Sequence, residues 1–129
     1  FFLHGLRHVS ELARDRIAAM RPGDRLEIEV EDDNPFDPRA VAVLINGQAR
    51  LRLGYVPRYL ARDVRALITA QGLGAVAIRA VRVNTGAPLQ MRLLCSLTAP
   101  WPANFEPCAS EEFFPLAEEQ VLAMAACGA

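Results

Sequence analysis

The sequence predicts a small, mainly β domain: a closed or partly closed barrel of about six short strands, with a helix inserted after the fourth. Three observations lead there. Leu26, Ile28 and Val30 alternate with Glu27, Glu29 and Glu31, the period of two that gives a strand one dry and one wet face. The dipeptide Asn46-Gly47 separates two strand-like runs, Ala40 to Ile45 and Arg50 to Val56, as a hairpin turn would. Helical periodicity is firm in one place, behind Pro57. At 129 residues the chain is one domain's worth, able to bury roughly two-thirds of its unfolded surface. Two independent catalytic domains do not fit. A 52% hydrophobic, 22% charged composition excludes disorder, collagen-like repeats and coiled coil.

Element by element, Phe1 to Val9 reads as a first strand. Ser10 to Met20 follows as a short helix capped by Ser10 and closed by the turn Arg21-Pro22-Gly23-Asp24. After the alternating strand comes the hairpin, where Asn-Gly supplies the positive φ values of a tight type I′ turn. Pro57 sits at the first position of the next helix, with Leu60, Val64, Leu67 and Ile68 on one face, Arg58, Arg62 and Arg65 on the other, and Gly72 beyond its end. Ala75 to Val83 and Leu89 to Leu97 form the last two strands, joined through Asn84-Thr85-Gly86-Ala87-Pro88, with Leu89, Met91, Leu93, Cys95 and Leu97 inward. Pro100-Trp101-Pro102 ends the barrel. Past it, Phe113, Leu116, Val121 and Met124 are spaced as a helical tail that docks on the body or on a second chain.

The net charge of -1 is a sum of unlike parts. Residues 1 to 37 carry -4, residues 38 to 99 carry +8 and residues 100 to 129 carry -5, so the middle third is strongly basic. Every basic residue is Arg, a bias that genome composition also produces. Whatever its origin, the lack of Lys removes a Walker A loop, Schiff-base chemistry and any site needing a catalytic ammonium. Cys95, Cys108 and Cys127 are odd in number and widely spaced, which favours a reduced, cytoplasmic setting over a disulfide framework. The longest charge-free windows, such as Ala66 to Ile78, are too short to span a bilayer. Beginning at Phe1 and not Met, the chain reads as a trimmed or processed fragment with no signal-peptide pattern in view.

Candidate chemistry concentrates in two places. Glu31-Asp32-Asp33-Asn34-Pro35-Phe36-Asp37-Pro38 gathers carboxylates that a hard cation would accept, but it lacks the Gly and the distal Glu of a calcium loop. Its other reading is a turn in which Asn34 and Asp37 accept local backbone N–H bonds. Gly54-Tyr55-Val56-Pro57-Arg58 runs from a strand into a helix N-terminus. Free N–H groups and Arg58 would suit a phosphate there; alternatively Tyr55 packs in the core and Arg58 is solvated. His4 and His8 lack a third ligand for zinc, and no serine or cysteine has a readable catalytic partner.

Taken together, Gly5-Leu6-Arg7-His8, Pro22-Gly23-Asp24, the string from Asp33-Asn34-Pro35-Phe36-Asp37 through Pro38-Arg39-Ala40-Val41-Ala42-Val43, and Gly54-Tyr55-Val56-Pro57-Arg58 resemble the HIRAN domain. That module occurs at the N-terminus of helicase-like DNA-repair translocases and as a small stand-alone bacterial protein. The resemblance covers residues 1–98 and leaves 99–129 as an acidic, partly helical extension. It implies an OB-like or SH3-like β-barrel that binds single-stranded DNA, in the helicase-like members at a free 3′-hydroxyl. Carried over by motif, Asp37 would accept the terminal hydroxyl, Phe36 and His8 would flank the last base, and Arg7, Tyr55 and Arg58 would line the phosphate path. Arg62, on the Arg58 helix face, joins the DNA-binding set. His8 and Phe36 stand where the 3′-end readers carry Tyr, so the planar rings persist while Phe36 lacks a hydroxyl.

The leading expectation is therefore a non-enzymatic DNA-end binding module with no cofactor or metal, whose +8 segment makes affinity fall steeply with salt. Its catalytic partner would be a repair helicase or nuclease supplied in trans. The alternative is a protein-interaction or oligomerising module, with the tail pairing chains as a homodimer. A third is a metal-dependent hydrolase using Asp32, Asp33 and Asp37.

Overall fold

The computed structural model describes residues 1–47 and 50–108. It contains α1 (Glu11–Ala18), β1 (Arg25–Glu31), β2 (Ala40–Ile45), β3 (Leu51–Tyr55), α2 (Arg58–Gln71), β4 (Ala77–Val83) and β5 (Leu93–Thr98). The strands form one antiparallel sheet in the order β3-β2-β1-β4-β5. This is the mainly β, barrel-like architecture with inserted helices that the pattern predicts, with five strands in place of six.

The sheet curls because β1 divides its pairing. Arg25 and Leu26 face β4, whereas Glu27 to Glu31 face β2. The resulting trough is filled from inside by Leu26 and Ile28 of β1, Val41, Val43 and Ile45 of β2, Leu53, Ile78, Ala80, Leu93 and Cys95. Ala61, Val64 and Leu67 of α2 join this core, as do Ala13 and Ile17 of α1. The Ser10 cap is present, with its hydroxyl accepting the Ala13 amide at 3.1 Å. Pro57 lies one position outside α2, at the N-cap, and Gly72 closes the helix at φ 87°.

The sixth strand is replaced by something more specific. Phe1 and Leu3 bond the β5 edge, through Cys95 N to Phe1 O at 2.7 Å and Leu3 N to Leu93 O at 2.9 Å. His4 then exchanges bonds with the opposite edge, β3, through His4 N to Tyr55 O at 2.9 Å and Tyr55 N to His4 O at 2.8 Å. One short segment thus bonds to both edges of the sheet, at Leu93 and Cys95 of β5 and at Tyr55 of β3, covering backbone groups that an open edge would expose. It cannot continue as a strand because Gly5 turns left-handed at φ 78° and leads into a 3₁₀ turn, Leu6–His8.

Two other local expectations are corrected. Ile45 pairs with Leu51, so five residues connect β2 to β3, and Gly47 is not left-handed; the type I′ turn does not form. Leu89–Met91 is a 3₁₀ turn entered from Pro88, not strand; Leu89 still packs against the core, Met91 is exposed, and the strand begins at Leu93. Arg92 anchors this loop by donating from Nε and Nη2 to Ala87 O at 3.2 and 2.6 Å. The expected tail helix lies outside the described residues. Among those described, no helix is long and apolar enough to cross a membrane.

Burial pushes the Cys95 thiol up to about 12 from its ordinary 9.0. The thiol is therefore an inert core group at neutral pH. Because the folded-state value is the higher one, Cys95 contributes stability that is complete below about pH 9 and is lost as pH rises towards 12. Urea midpoints measured from pH 8 to 11 should fall with pH, and Cys95→Ala should flatten that slope. Parallel slopes would remove the thiol as the cause.

Candidate nucleic-acid interface

The wet face of β1 becomes one wall of a groove. Register places Glu29 beside Ala42 and Tyr55 in one row, and Glu31 beside Ala40 in the next. The small alanines of β2 let long side chains of β1 and β3 meet above them. Arg50 pairs with Glu29 at 3.1 Å and Arg52 with Glu31 at 2.8 Å. The Tyr55 hydroxyl donates to Glu31 Oε1 at 3.0 Å, and the Arg52 guanidinium lies 5.6 Å from the Tyr55 ring centre. Burial, then the bond to Glu31, raises the Tyr55 phenol above its ordinary value, so it stays a protonated donor at neutral pH.

The second wall is the loop 32–39, and its shape is local chemistry. Asn34 Oδ1 accepts the amides of Phe36 at 2.9 Å and Asp37 at 3.0 Å, while Asp37 Oδ1 accepts the Arg39 amide at 2.9 Å. These are the Asx-type bonds expected of an Asn-Pro/Asp-Pro segment. Asn34 Nδ2 donates in turn to Glu31 Oε1 at 3.1 Å, tying loop to sheet. Arg58 closes the far end from the start of α2, donating to Phe36 O at 2.7 Å and standing 3.6 Å from Asp37 Oδ2. The result lifts Phe36 out of the surface with 86% of its area exposed. His8, at the end of the 3₁₀ turn, completes the rim.

Five sequence-predicted residues, His8, Phe36, Asp37, Tyr55 and Arg58, therefore line one open groove of about 1130 Å³. Arg7 lies across the 3₁₀ turn on a smaller neighbouring recess with Gln90. Arg62 is half-buried along α2 and does not line the groove. The Asp37 side chain is not buried, being 20% exposed. Residues that motif reading missed are His4, Arg52 and above all Glu31, which looked like one more outward glutamate of an alternating strand.

The strongly basic face expected from the +8 segment is largely neutralised by the acidic segment before it. Arg50, Arg52, Arg58 and Arg65 each stand against a carboxylate from residues 29 to 37. Arg65 in particular does not project to solvent. It donates to Arg39 O at 2.8 Å, Ala40 O at 3.0 Å and Asp32 at 2.6 Å, clamping the loop to α2. Asp32 and Asp37 are thus turned to different arginines, and among the described residues no group of three or more His, Cys, Asp or Glu side chains is arranged to hold a metal.

The HIRAN domain family model matches residues 1–101. The chain belongs to the HIRAN family. A crystal structure of a protein from Lactobacillus plantarum shares the fold, with a TM-score of 0.56 and 21% identity over 74% of this chain and 84% of that one. Among curated proteins, none matches the sequence. HIRAN domains are in general DNA-binding modules and not catalytic ones, and in this chain five of the motif residues meet in the groove between β1, β3 and the 32–39 loop.

Proposed function

We propose that this groove binds single-stranded DNA and reads a free 3′-hydroxyl end. The observation that carries the reading is the convergence of an exposed ring, Phe36, with His8, Tyr55, Asp37 and Arg58 on one open surface. Phe36 and His8 offer planar faces for the last base, and Arg7 and Arg58 supply cations for the phosphates before it. Asp37 is suited to the hydroxyl: Oδ1 is occupied by the Arg39 amide, while Oδ2 stands 3.6 Å from Arg58 and keeps lone pairs to accept a donor. A 3′-phosphate would bring negative charge against the same carboxylate. A binding domain leaves the chemistry to another domain or protein, and a repair helicase or nuclease acting on the same end is the partner class implied.

The test is binding of 5′-labelled oligonucleotides that differ only in their 3′ group. A free hydroxyl should be preferred over a 3′-phosphate by about tenfold, equivalent to about 1.4 kcal/mol, and Asp37→Ala should erase the preference. Phe36→Ala should weaken both ligands alike, by about 1–3 kcal/mol of lost stacking. Because the groove arginines already face carboxylates, the log–log salt slope should be shallow, about -2 for two or three phosphates. Equal binding of both ends, or a preference that survives Asp37→Ala, would overturn the assignment.

A further inference from the structure

Glu31 carries more of the groove than its place in an alternating strand implies. Its side chain is 13% exposed, and its two oxygens do different work. Oε1 accepts both the Tyr55 hydroxyl and Asn34 Nδ2, at 3.0 and 3.1 Å. Oε2 faces Arg52 Nη2 at 2.8 Å. Asn34, so held, uses its own carbonyl oxygen on the Phe36 and Asp37 amides. A single carboxylate oxygen therefore links the β3 wall to the loop that presents the stacking ring and the acceptor carboxylate.

We propose that Glu31 is the positioning residue of the groove, setting through Oε1 both the direction of the Tyr55 hydroxyl and the placement of the Phe36–Asp37 loop. The inference deepens the DNA-end reading above and rests on it. A chemical consequence follows for Tyr55. With its only O–H proton committed to Glu31, the hydroxyl has only lone pairs left to offer a ligand, so it would accept from a bound base or sugar and not donate to a phosphate. The phosphate-path role given to Tyr55 by motif is thereby replaced by that of acceptor and ring wall.

The division of labour between the oxygens makes this testable in the full chain. Glu31→Gln keeps an oxygen for Tyr55 and Asn34 and loses only the Arg52 ion pair; Glu31→Ala loses both. Three readouts are needed: exchange rates of the Phe36 and Asp37 amides, the Tyr55 titration followed by carbon-labelled tyrosine NMR, and the ratio of affinities for a 3′-hydroxyl and a 3′-phosphate oligothymidylate. In Glu31→Ala the two amides should exchange about tenfold faster, Tyr55 should titrate lower, and the end preference should collapse, while the Val41 and Leu53 amides keep their protection. Glu31→Gln should restore the amides and most of the preference. The proposal is overturned if Glu31→Ala leaves the loop amides and Tyr55 unchanged, or if Gln and Ala lose the preference equally. Failure of the underlying reading looks different: the wild type itself would not distinguish the two ends, and the positioning role would fall with it.

Discussion

Gly54→Ala should destabilise the domain by about 3 kcal/mol, the upper end of what an overpacked core site costs. A Cβ at position 54 would lie 2.5 Å from the His4 carbonyl oxygen and 2.8 Å from Leu3 Cγ. Neither can step aside. The carbonyl is fixed by the Tyr55 amide, and Leu3 is fully buried with its own amide bonded to β5. The clash therefore falls on the segment that joins the two sheet edges, and relief means peeling Phe1 to His4 away from β3. For a domain of this size the loss corresponds to a fall in Tm of roughly 10–20 °C. Amide exchange gives the sharper reading: His4 and Tyr55 should lose protection before the β1–β2 ladder does. A variant within 0.5 kcal/mol of wild type with both amides still slow would show that the segment tolerates a side chain there. Gly5→Ala would be strained for another reason, its φ of 78° together with the Tyr55 ring 3.1 Å from the new methyl.

That contact also marks the boundary of what the sequence makes legible. Features set by near neighbours are readable: the β1 alternation, the Ser10 cap, the α2 stripe, and the Asn34 and Asp37 turn bonds all follow from residues within a few positions. The end-strand error has the opposite cause. Phe1 to His4 is extended and apolar, as strand residues are, but its partners lie some 50 and 90 residues away, and only the geometry of Gly5 and Gly54 says that it stops at His4. The charge reading failed similarly. A +8 segment and a -4 segment are plain in the sequence, yet their mutual cancellation depends on β2 lying between β1 and β3 and on Ala40 and Ala42 being small enough for Arg and Glu to meet across it. Once the strand order is known, the same glutamates that looked merely wet become the wall of the groove, and Glu31 its hub. Of the site itself, the motif brought together five residues that do share a surface, whereas Arg62, added from the helix face it shares with Arg58, does not line that groove.

Arg58 and Arg65, two helical turns apart on α2 and assigned by periodicity to the same helix face, should separate completely when each is truncated. Arg65→Ala should cost about 2–3 kcal/mol of stability. Its guanidinium is mostly covered and gives charged hydrogen bonds to two backbone carbonyls at the entry to β2 as well as to Asp32, and each such bond contributes about 1.5–3 kcal/mol when intact. The carbonyls of Arg39 and Ala40 would be left to water, and the loop carrying Phe36 would lose its anchor on α2. Arg58 is a different case. Its side chain is mostly exposed, its contact with Asp37 is long, and an exposed pair of this kind contributes about 0–1 kcal/mol. Arg58→Ala should accordingly leave the urea midpoint nearly unchanged while weakening single-stranded DNA and lowering the magnitude of the salt slope by about 0.7, the signature of one lost phosphate contact. Arg65→Lys sharpens the distinction. An ammonium keeps the charge but cannot span two carbonyls and a carboxylate in one planar fork, so most of the lost stability should remain lost. If Arg65→Ala were stable and deficient only in binding, the guanidinium would belong to the DNA surface after all, and the division between a structural Arg65 and a ligand-facing Arg58 would have to be abandoned.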